Sequence, residues 1–89
     1  MTKFYFYSDP GHGWLAVTRN DVKDVGLTTS DFTQYSYCKG DVLYLEEDCD
    51  AGTFLQAWKR KHDAEPEILD RYSNYDSFIR SYARLPGRA

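Results

Sequence analysis

The chain has little positive charge and no long apolar run, and each shortage excludes a class of protein. Its 89 residues carry 11 Lys or Arg against 14 Asp or Glu, a net charge of −3. This balance argues against direct nucleic-acid binding, which needs a basic footprint. Residues 1–4 are not followed by a secretory leader, and no stretch approaches transmembrane length. We therefore expect a protein of the cytoplasm that does not enter a membrane.

Cysteine is scarce, which bears on disulfides and metals. Cys38 and Cys49 are the two cysteines, a number that fits a reducing compartment. If residues 35–46 form a hairpin, the two thiols lie far apart along one arm, so no disulfide is expected. Together with His12 and His62 they do not have zinc-ligand spacing. These cysteines and histidines therefore do not indicate a zinc site, and no cofactor is expected.

Aromatic residues are plentiful, and eight of them are tyrosines. The chain is of single-domain length, so residues 1–89 are taken as one domain with a small core. Residues 3–8 and 14–18 read as strands joined by the turn Asp-Pro-Gly-His-Gly. His12 in that turn, close to Trp14, is either a general acid or base or an exposed turn residue. The two glycines do not form a nucleotide-binding fingerprint.

A second hairpin is predicted from strands at residues 35–38 and 42–46. Alternation along the strands gives the sheet an aliphatic face with Leu43 and Leu45 and a tyrosine-rich face. The tyrosine-rich face is either half covered by a helix or tail, or it is a binding platform. Its predicted members are Tyr5, Tyr7, Tyr35, Tyr37 and Tyr44.

Helical patterns complete the predicted fold. A short helix over 21–25 is capped by Thr18 or Asn20, and a longer one starts near Ala51 with Phe54 and Trp58 in its apolar stripe. Residues 63–67 are a linker and 68–72 a fifth strand. The fold class is α+β: two β-hairpins form an antiparallel sheet packed on one main amphipathic helix, in the order ββ(α)ββα(β) with a C-terminal arm.

Four carboxylates stand at the junction between the fourth strand and the main helix: Glu46, Glu47, Asp48 and Asp50. Asp48 or Asp50 is placed to cap the helix, whereas the strand period sends Glu46 and Glu47 to opposite faces. The order is not that of a calcium loop. The alternatives to capping are a divalent metal site, an acid/base pair, or an acidic patch that contacts a basic partner or mimics a nucleic-acid backbone.

The last twenty residues have the opposite charge balance to the rest. Residues 1–69 have a net charge of −5 and residues 70–89 a net charge of +2. A short helix or irregular arm is favoured there, although alternation over 79–85 also fits a strand. Arg71, Arg80 and Arg84, with Tyr82, can hold phosphates or a partner's carboxylates, or bridge back to the acidic junction.

Three segments resemble a family of small proteins of tailed bacteriophages and prophages. They are FYFYSDPGHGW at 4–14, GDVLYLEEDCD at 40–50, and RYS followed by IRSYAR within 71–84. The resemblance spans nearly the whole chain but brings no assigned activity and no catalytic residues. It implies a context, since small acidic phage accessory proteins often bind a host defence protein, mimic DNA or sequester a nucleotide signal.

Three functional hypotheses follow. The first is a non-enzymatic inhibitor of a host defence component, of anti-CRISPR or anti-restriction type, which binds its protein partner through Glu46, Glu47, Asp48, Asp50 and the tyrosine-rich face. The second is an oligomeric sponge for a cyclic nucleotide or dinucleotide, with His12, Trp14, Arg71, Arg80, Tyr82 and Arg84 as ligand-binding residues. The third is a small hydrolase that uses His12 and nearby carboxylates.

Overall fold

A six-stranded mixed sheet is the frame of the protein. The computed structural model describes residues 2–85. The strands are β1 (Lys3–Ser8), β2 (Gly13–Thr18), β3 (Tyr37–Lys39), β4 (Val42–Glu46), β5 (Glu67–Tyr72) and β6 (Ala83–Arg84), in the spatial order β5-β1-β2-β4-β3-β6. The helices are α1 (Arg19–Asp24) and α2 (Asp50–His62), with single 3₁₀ turns at Thr29–Asp31 and Phe78–Ser81. The predicted α+β class, with two hairpins and one main helix, is confirmed.

The sheet differs from the prediction in one pairing. β1 with β2, β2 with β4, and β3 with β4 are antiparallel, but β5 runs parallel to β1. The connection explains this geometry. β4 and β5 point the same way, and α2 between them supplies the crossover that a parallel connection needs.

One face of the sheet is packed on α2 and forms the main core. Inward residues alternate along the strands, and the rings of Phe54 and Trp58 on α2 meet Phe4 edge-on at centroid distances of 5.3 and 6.1 Å. Period-two and period-3.6 apolar patterns thus meet face to face. The buried members on the strands are Phe4, Leu15, Val17, Leu43 and Leu45.

Local capping chemistry fixes the shorter elements. The Thr18 side chain accepts the N–H of Asp21, and the Asp21 carboxylate accepts the N–H of Thr18, a complete capping box for α1. The predicted cap Thr18 is therefore confirmed, and α1 begins two residues before the predicted start.

The start of the second hairpin is displaced relative to the prediction. β3 covers Tyr37–Lys39 instead of residues 35–38. Ser36 ends a turn, because its backbone N–H donates to the Thr33 oxygen, and its hydroxyl donates to Asp50 and accepts the N–H of Glu46. Tyr35 lies before the strand and is exposed.

The C-terminal segment covers the other face of the sheet. The Ser77 hydroxyl accepts the N–H of Ile79 and starts the 3₁₀ turn, and β6 then pairs with β3. Ile79 is fully buried against Trp14 and Tyr37. The predicted helix or arm is thus a 3₁₀ turn followed by a two-residue strand. Residues 86–89 of the predicted tail lie outside the described residues.

Within residues 2–85, no helix combines the length and the apolar character needed to cross a membrane.

Candidate functional site

The β1–β2 loop is organised around a buried carboxylate. Asp9 accepts the backbone N–H groups of Gly11 and His12 at 2.9 and 3.0 Å, which closes the turn on itself. Gly13 ends the loop at a point where a Cβ would lie 2.4 Å from the ring of Phe6, so only glycine fits without a shift. The loop that carries His12 is therefore held rigidly at the end of the sheet.

Asp9 also binds the C-terminal segment. Its second oxygen, Oδ2, accepts the N–H of Ser77 at 2.8 Å. Arg80 forms a bidentate ion pair with Asp9, in which Nε donates to Oδ2 at 2.7 Å and Nη2 donates to Oδ1 at 2.9 Å. The Arg80 guanidinium, followed by the backbone N–H donors, holds the pKa of Asp9 far below its usual range despite burial, and Asp9 in turn raises the pKa of Arg80. Arg80 thus bridges to the β1–β2 turn, not to the acidic junction.

Capping does not explain the acidic junction. Cys49 is the N-cap of α2 and makes no side-chain cap bond, so the prediction that Asp48 or Asp50 caps the helix is wrong. Asp50 is 1% exposed, and its carboxylate accepts the Thr33 N–H, the Thr33 hydroxyl and the Ser36 hydroxyl. This carboxylate anchors the loop before β3 and is inaccessible to a partner.

The remaining three carboxylates differ in their exposure to solvent. Glu46 is 8% exposed, whereas Glu47 and Asp48 are exposed. Burial, and then the negative charge of Asp48, raise the pKa of Glu46 above its usual range, although its carboxylate accepts the Asp48 N–H at 3.0 Å. The four acids therefore splay, and only two of them remain for a surface patch.

Glu46 and Asp48 instead belong to a cleft on the tyrosine-rich face. The cleft has a volume of about 310 Å³ and lies where the β1–β2 loop, the end of β4 and the C-terminal segment meet. That volume is at the lower end of small-molecule sites, which span roughly 300–1,000 Å³. Its lining residues are His12, Trp14, Tyr35, Tyr37, Glu46, Asp48, Cys49, Arg80 and Arg84.

The wall of the cleft contains an unsatisfied donor. Trp14 is 2% exposed, and its indole Nε1 is the buried side-chain polar atom that has no hydrogen-bond partner among the described residues. A buried unpaired N–H has a cost of roughly 1–3 kcal/mol, so such groups are uncommon in structures and call for an explanation.

Two arginines flank the aromatic wall. The Arg80 guanidinium lies 5.4 Å from the Trp14 ring, and the Arg84 guanidinium lies 5.0 Å from the Tyr37 ring. Arg80 is neutralised by its ion pair, whereas Arg84 is exposed and, among residues 2–85, donates to the backbone oxygen of Gln34 at 3.2 Å. Arg84 therefore has N–H groups left for an anion.

His12 lies at the rim and is exposed, 6.0 Å from Trp14 between ring centroids. Among residues 2–85, no hydrogen bond or ion pair joins its ring to a carboxylate. A histidine that acts as a general base usually has such an orienting partner, so this geometry gives the hydrolase hypothesis no support. The described residues also contain no group of three or more His, Cys, Asp or Glu that could hold a metal ion.

Several residues of the two predicted sets lie away from the cleft. Tyr7 and Tyr44 pack under Phe78, and Tyr82 packs on Tyr44 at a centroid distance of 5.3 Å, so the C-terminal segment covers much of the tyrosine-rich face. Arg71 lies over the ring of Tyr5, near the opposite edge of the sheet from β3 and β6. Of the two interpretations of the tyrosine-rich face, partial coverage by the C-terminal segment is therefore the one that describes Tyr7 and Tyr44.

Eight of the nine lining residues had been named from the sequence, but in two separate hypotheses. The acidic set and the arginine set meet in one cleft because β4 and β6 flank β3. Sequence reasoning missed Asp9, the positioning carboxylate, although Asp-Pro-Gly is a turn signal that often uses the Asp side chain. It also missed Cys49, which no motif marks.

Comparisons with protein-family models, with curated proteins and with solved structures gave no match.

Proposed function

We propose that the protein is a non-enzymatic binding protein whose cleft takes a small nucleotide, and that its role is to sequester such a signal. The observation that carries this proposal is the convergence of aromatic, guanidinium and carboxylate groups on one cleft. Each of these groups matches a different part of a nucleotide.

The aromatic wall suits the base. Tyr35 is 57% exposed beside the buried rings of Trp14 and Tyr37, and a base can slide between exposed and buried aromatic surfaces. Stacking of this kind is worth about 1–3 kcal/mol per base. Tyr35 is the side chain with the freedom to close over a bound ring.

Arg84 binds the phosphate group of the nucleotide in this proposal. Its guanidinium is fixed over Tyr37 yet exposed, and a guanidinium binds a phosphate with two parallel hydrogen bonds. Arg80 has a positioning role, because Asp9 already occupies two of its N–H groups. One arginine for binding and one for positioning fit a single phosphate group.

The carboxylates suit the donor edge of the base. Glu46 and Asp48 stand on the acidic side of the cleft, and hydrogen-bond acceptors there match a ring that presents adjacent N–H groups. Guanine presents an imino N–H beside an amino group, so guanine nucleotides are the first probes. Because the pKa of Glu46 is raised, binding that needs its carboxylate should strengthen as the pH rises.

Binding of guanosine monophosphate, guanosine, adenosine monophosphate and a cyclic guanine dinucleotide tests the proposal, by calorimetry and by the change in tryptophan fluorescence. Guanosine monophosphate is expected to bind, and Arg84→Gln should weaken it about tenfold or more while guanosine binding stays unchanged. Arg71→Gln is the matched control, because Arg71 lies over Tyr5 outside the cleft. Saturable binding of none of these ligands, or equal effects of the two arginine variants, would refute the assignment.

A protein partner is the second candidate, favoured by exposed aromatic side chains beside the C-terminal 3₁₀ turn. Tyr72, Tyr75 and Phe78 are 64, 82 and 51% exposed within seven residues. Exposed aromatic clusters are typical of interaction surfaces, and the phage resemblance suggests a host defence protein as the partner. Capture from host extract that Tyr75→Ala abolishes and Arg84→Gln leaves intact would favour this role over nucleotide sequestration.

A further inference from the structure

Strand β5 is an edge strand with an orderly set of outward backbone groups. It comes first in the sheet order and has β1 as its neighbour. The Glu67 N–H donates to the Thr2 oxygen at 3.0 Å, and the Ser73 N–H donates to the Ser8 oxygen at 2.9 Å. Backbone groups alternate sides along a strand, so the odd-numbered residues face β1. The even-numbered residues, Ile68, Asp70 and Tyr72, present their N–H and C=O groups outward.

We propose that β5 pairs antiparallel with β5 of a second copy, about a two-fold axis at Leu69, to join the two sheets into one. In this register Ile68 of each copy lies opposite Asp70 of the other. Both residues have outward backbone groups, so each such pair exchanges two hydrogen bonds. Leu69 meets Leu69 of the second copy in the closer, non-hydrogen-bonded type of pair.

Charge supports the same register. Glu67 lies opposite Arg71 of the second copy, and the two-fold axis repeats the pair, which gives two opposite-charge contacts on the face that carries Leu69. In the single chain Arg71 lies over Tyr5 at 4.9 Å and donates to the oxygen of Asp70 at 3.0 Å. Its side chain is exposed and can turn to a carboxylate, and the Asp70 oxygen has a second lone pair for the inter-strand bond.

The neighbouring symmetric registers are each opposed by a specific clash. An axis at Asp70 places two carboxylates opposite each other, and an axis at Arg71 does the same with two guanidinium groups. An axis at Ile68 sets Pro66, which has no N–H, against Asp70. Registers centred between residues pair an outward with an inward backbone group. The axis at Leu69 avoids the like-charge contacts and the outward-to-inward mismatch, and it moves Pro66 to the ends of the ladder, opposite Tyr72, where each end loses one hydrogen bond.

Pairing at β5 leaves the cleft open in both copies. β5 is at one end of the sheet order, and the cleft lies toward the other end, by β4, β3 and β6. Dimerisation and cleft occupancy are therefore separable in experiment.

A charge-exchange series tests the register by sedimentation over a range of protein concentration and salt. Wild type is expected to dimerise, and Glu67→Arg and Arg71→Glu should each weaken the dimer about tenfold, since both ion pairs become repulsions. The double variant Glu67→Arg/Arg71→Glu should return to within about threefold of wild type. The control Asp41→Arg makes the same charge change as Glu67→Arg, on the exposed β3–β4 turn, and should leave dimerisation unchanged.

A wild-type chain that remains monomeric at millimolar concentration would overturn the proposal. So would a dimer that is unaffected by the single variants, because it would use another surface. Failure of the double variant to recover, with circular dichroism that shows it folded, would refute the register at Leu69.

Discussion

The two faces of the sheet are built from different side chains and are covered by different elements. The face under α2 is aliphatic and phenylalanine-rich, and a 13-residue helix covers it with Phe54 and Trp58. The opposite face is made of Trp14, Tyr37 and Tyr44, and the C-terminal segment covers it with one 3₁₀ turn and a short strand. The helix helps to bury Phe4, Leu15, Val17, Leu43 and Leu45 on its face, whereas the irregular segment leaves a cleft on the other.

The two covering elements, α2 and the C-terminal segment, are also held in place by different interactions. The helix is held by apolar burial distributed over many contacts, and the buried Asp50 at its first turn ties that end to Thr33 and Ser36. The C-terminal segment is fixed by one carboxylate, Asp9, which bonds Ser77 and Arg80. A polar anchor of this kind fixes geometry at one point, and it leaves polar and aromatic groups exposed around that point for binding.

The largest expected effect is on the helix face. Phe54→Ala removes a fully buried ring that packs edge-on with Phe4, and we expect the free energy of unfolding to fall by about 3–5 kcal/mol. Phe78→Ala on the other face removes a half-exposed ring and should cost about 1 kcal/mol. Urea unfolding of the two variants measures the difference, and equal losses would contradict the contrast between the faces.

Asp9→Asn is expected to have the next largest effect. It breaks the pair with Arg80 and places an amide among N–H donors, which should lower the free energy of unfolding by about 3 kcal/mol at pH 7. The control Asp24→Asn breaks an exposed contact with Lys61 and His62 and should have a much smaller effect on stability, because solvent screens exposed ion pairs. Nucleotide binding should weaken in the Asp9 variant only.

The same pair predicts a dependence on pH. The pKa of Asp9 is depressed in the folded state, so its contribution is fully present above the unfolded value near 4 and is lost as the pH falls below that. The stability difference between wild type and Asp9→Asn should therefore shrink in acid. Unfolding curves of both proteins at pH 7, 5 and 3 check this. A difference in the free energy of unfolding that stays constant with pH would show that the charge of the Asp9 carboxylate does not cause the stabilisation.

Glu46→Gln should have the smallest effect, with the opposite sign. Burial raises the pKa of Glu46, so its contribution is present below about pH 4.3 and is lost as the pH rises through the folded value. Replacing it should leave stability unchanged or increase it by at most about 1 kcal/mol at pH 7, with no gain at pH 4. Glu47→Gln, at an exposed site, should stay within about 0.5 kcal/mol at both pH values. A clear loss at pH 7 in Glu46→Gln would contradict the burial argument.

The local pattern of the sequence determined most of the elements. Alternation set Leu43 and Leu45 against the helix, the Phe54 and Trp58 spacing marked α2, and Thr18 predicted the start of α1. These features depend on neighbours within one or two turns of chain, so periodicity and capping rules reach them. The fifth strand predicted at 68–72 is present as β5, but its parallel pairing with β1 escaped prediction because strand pairing joins segments that are far apart in sequence.

Only the tertiary structure decided the roles of the polar residues. Asp9 meets Arg80 across 71 positions, and Asp50 meets Ser36 across 14, so neither carboxylate could be assigned from its own neighbours. The sequence by itself determined a two-faced sheet with one aliphatic side. Long-range hydrogen bonds decided which acids are buried anchors and which reach the cleft, because burial makes each polar group find a partner wherever the fold brings one within reach.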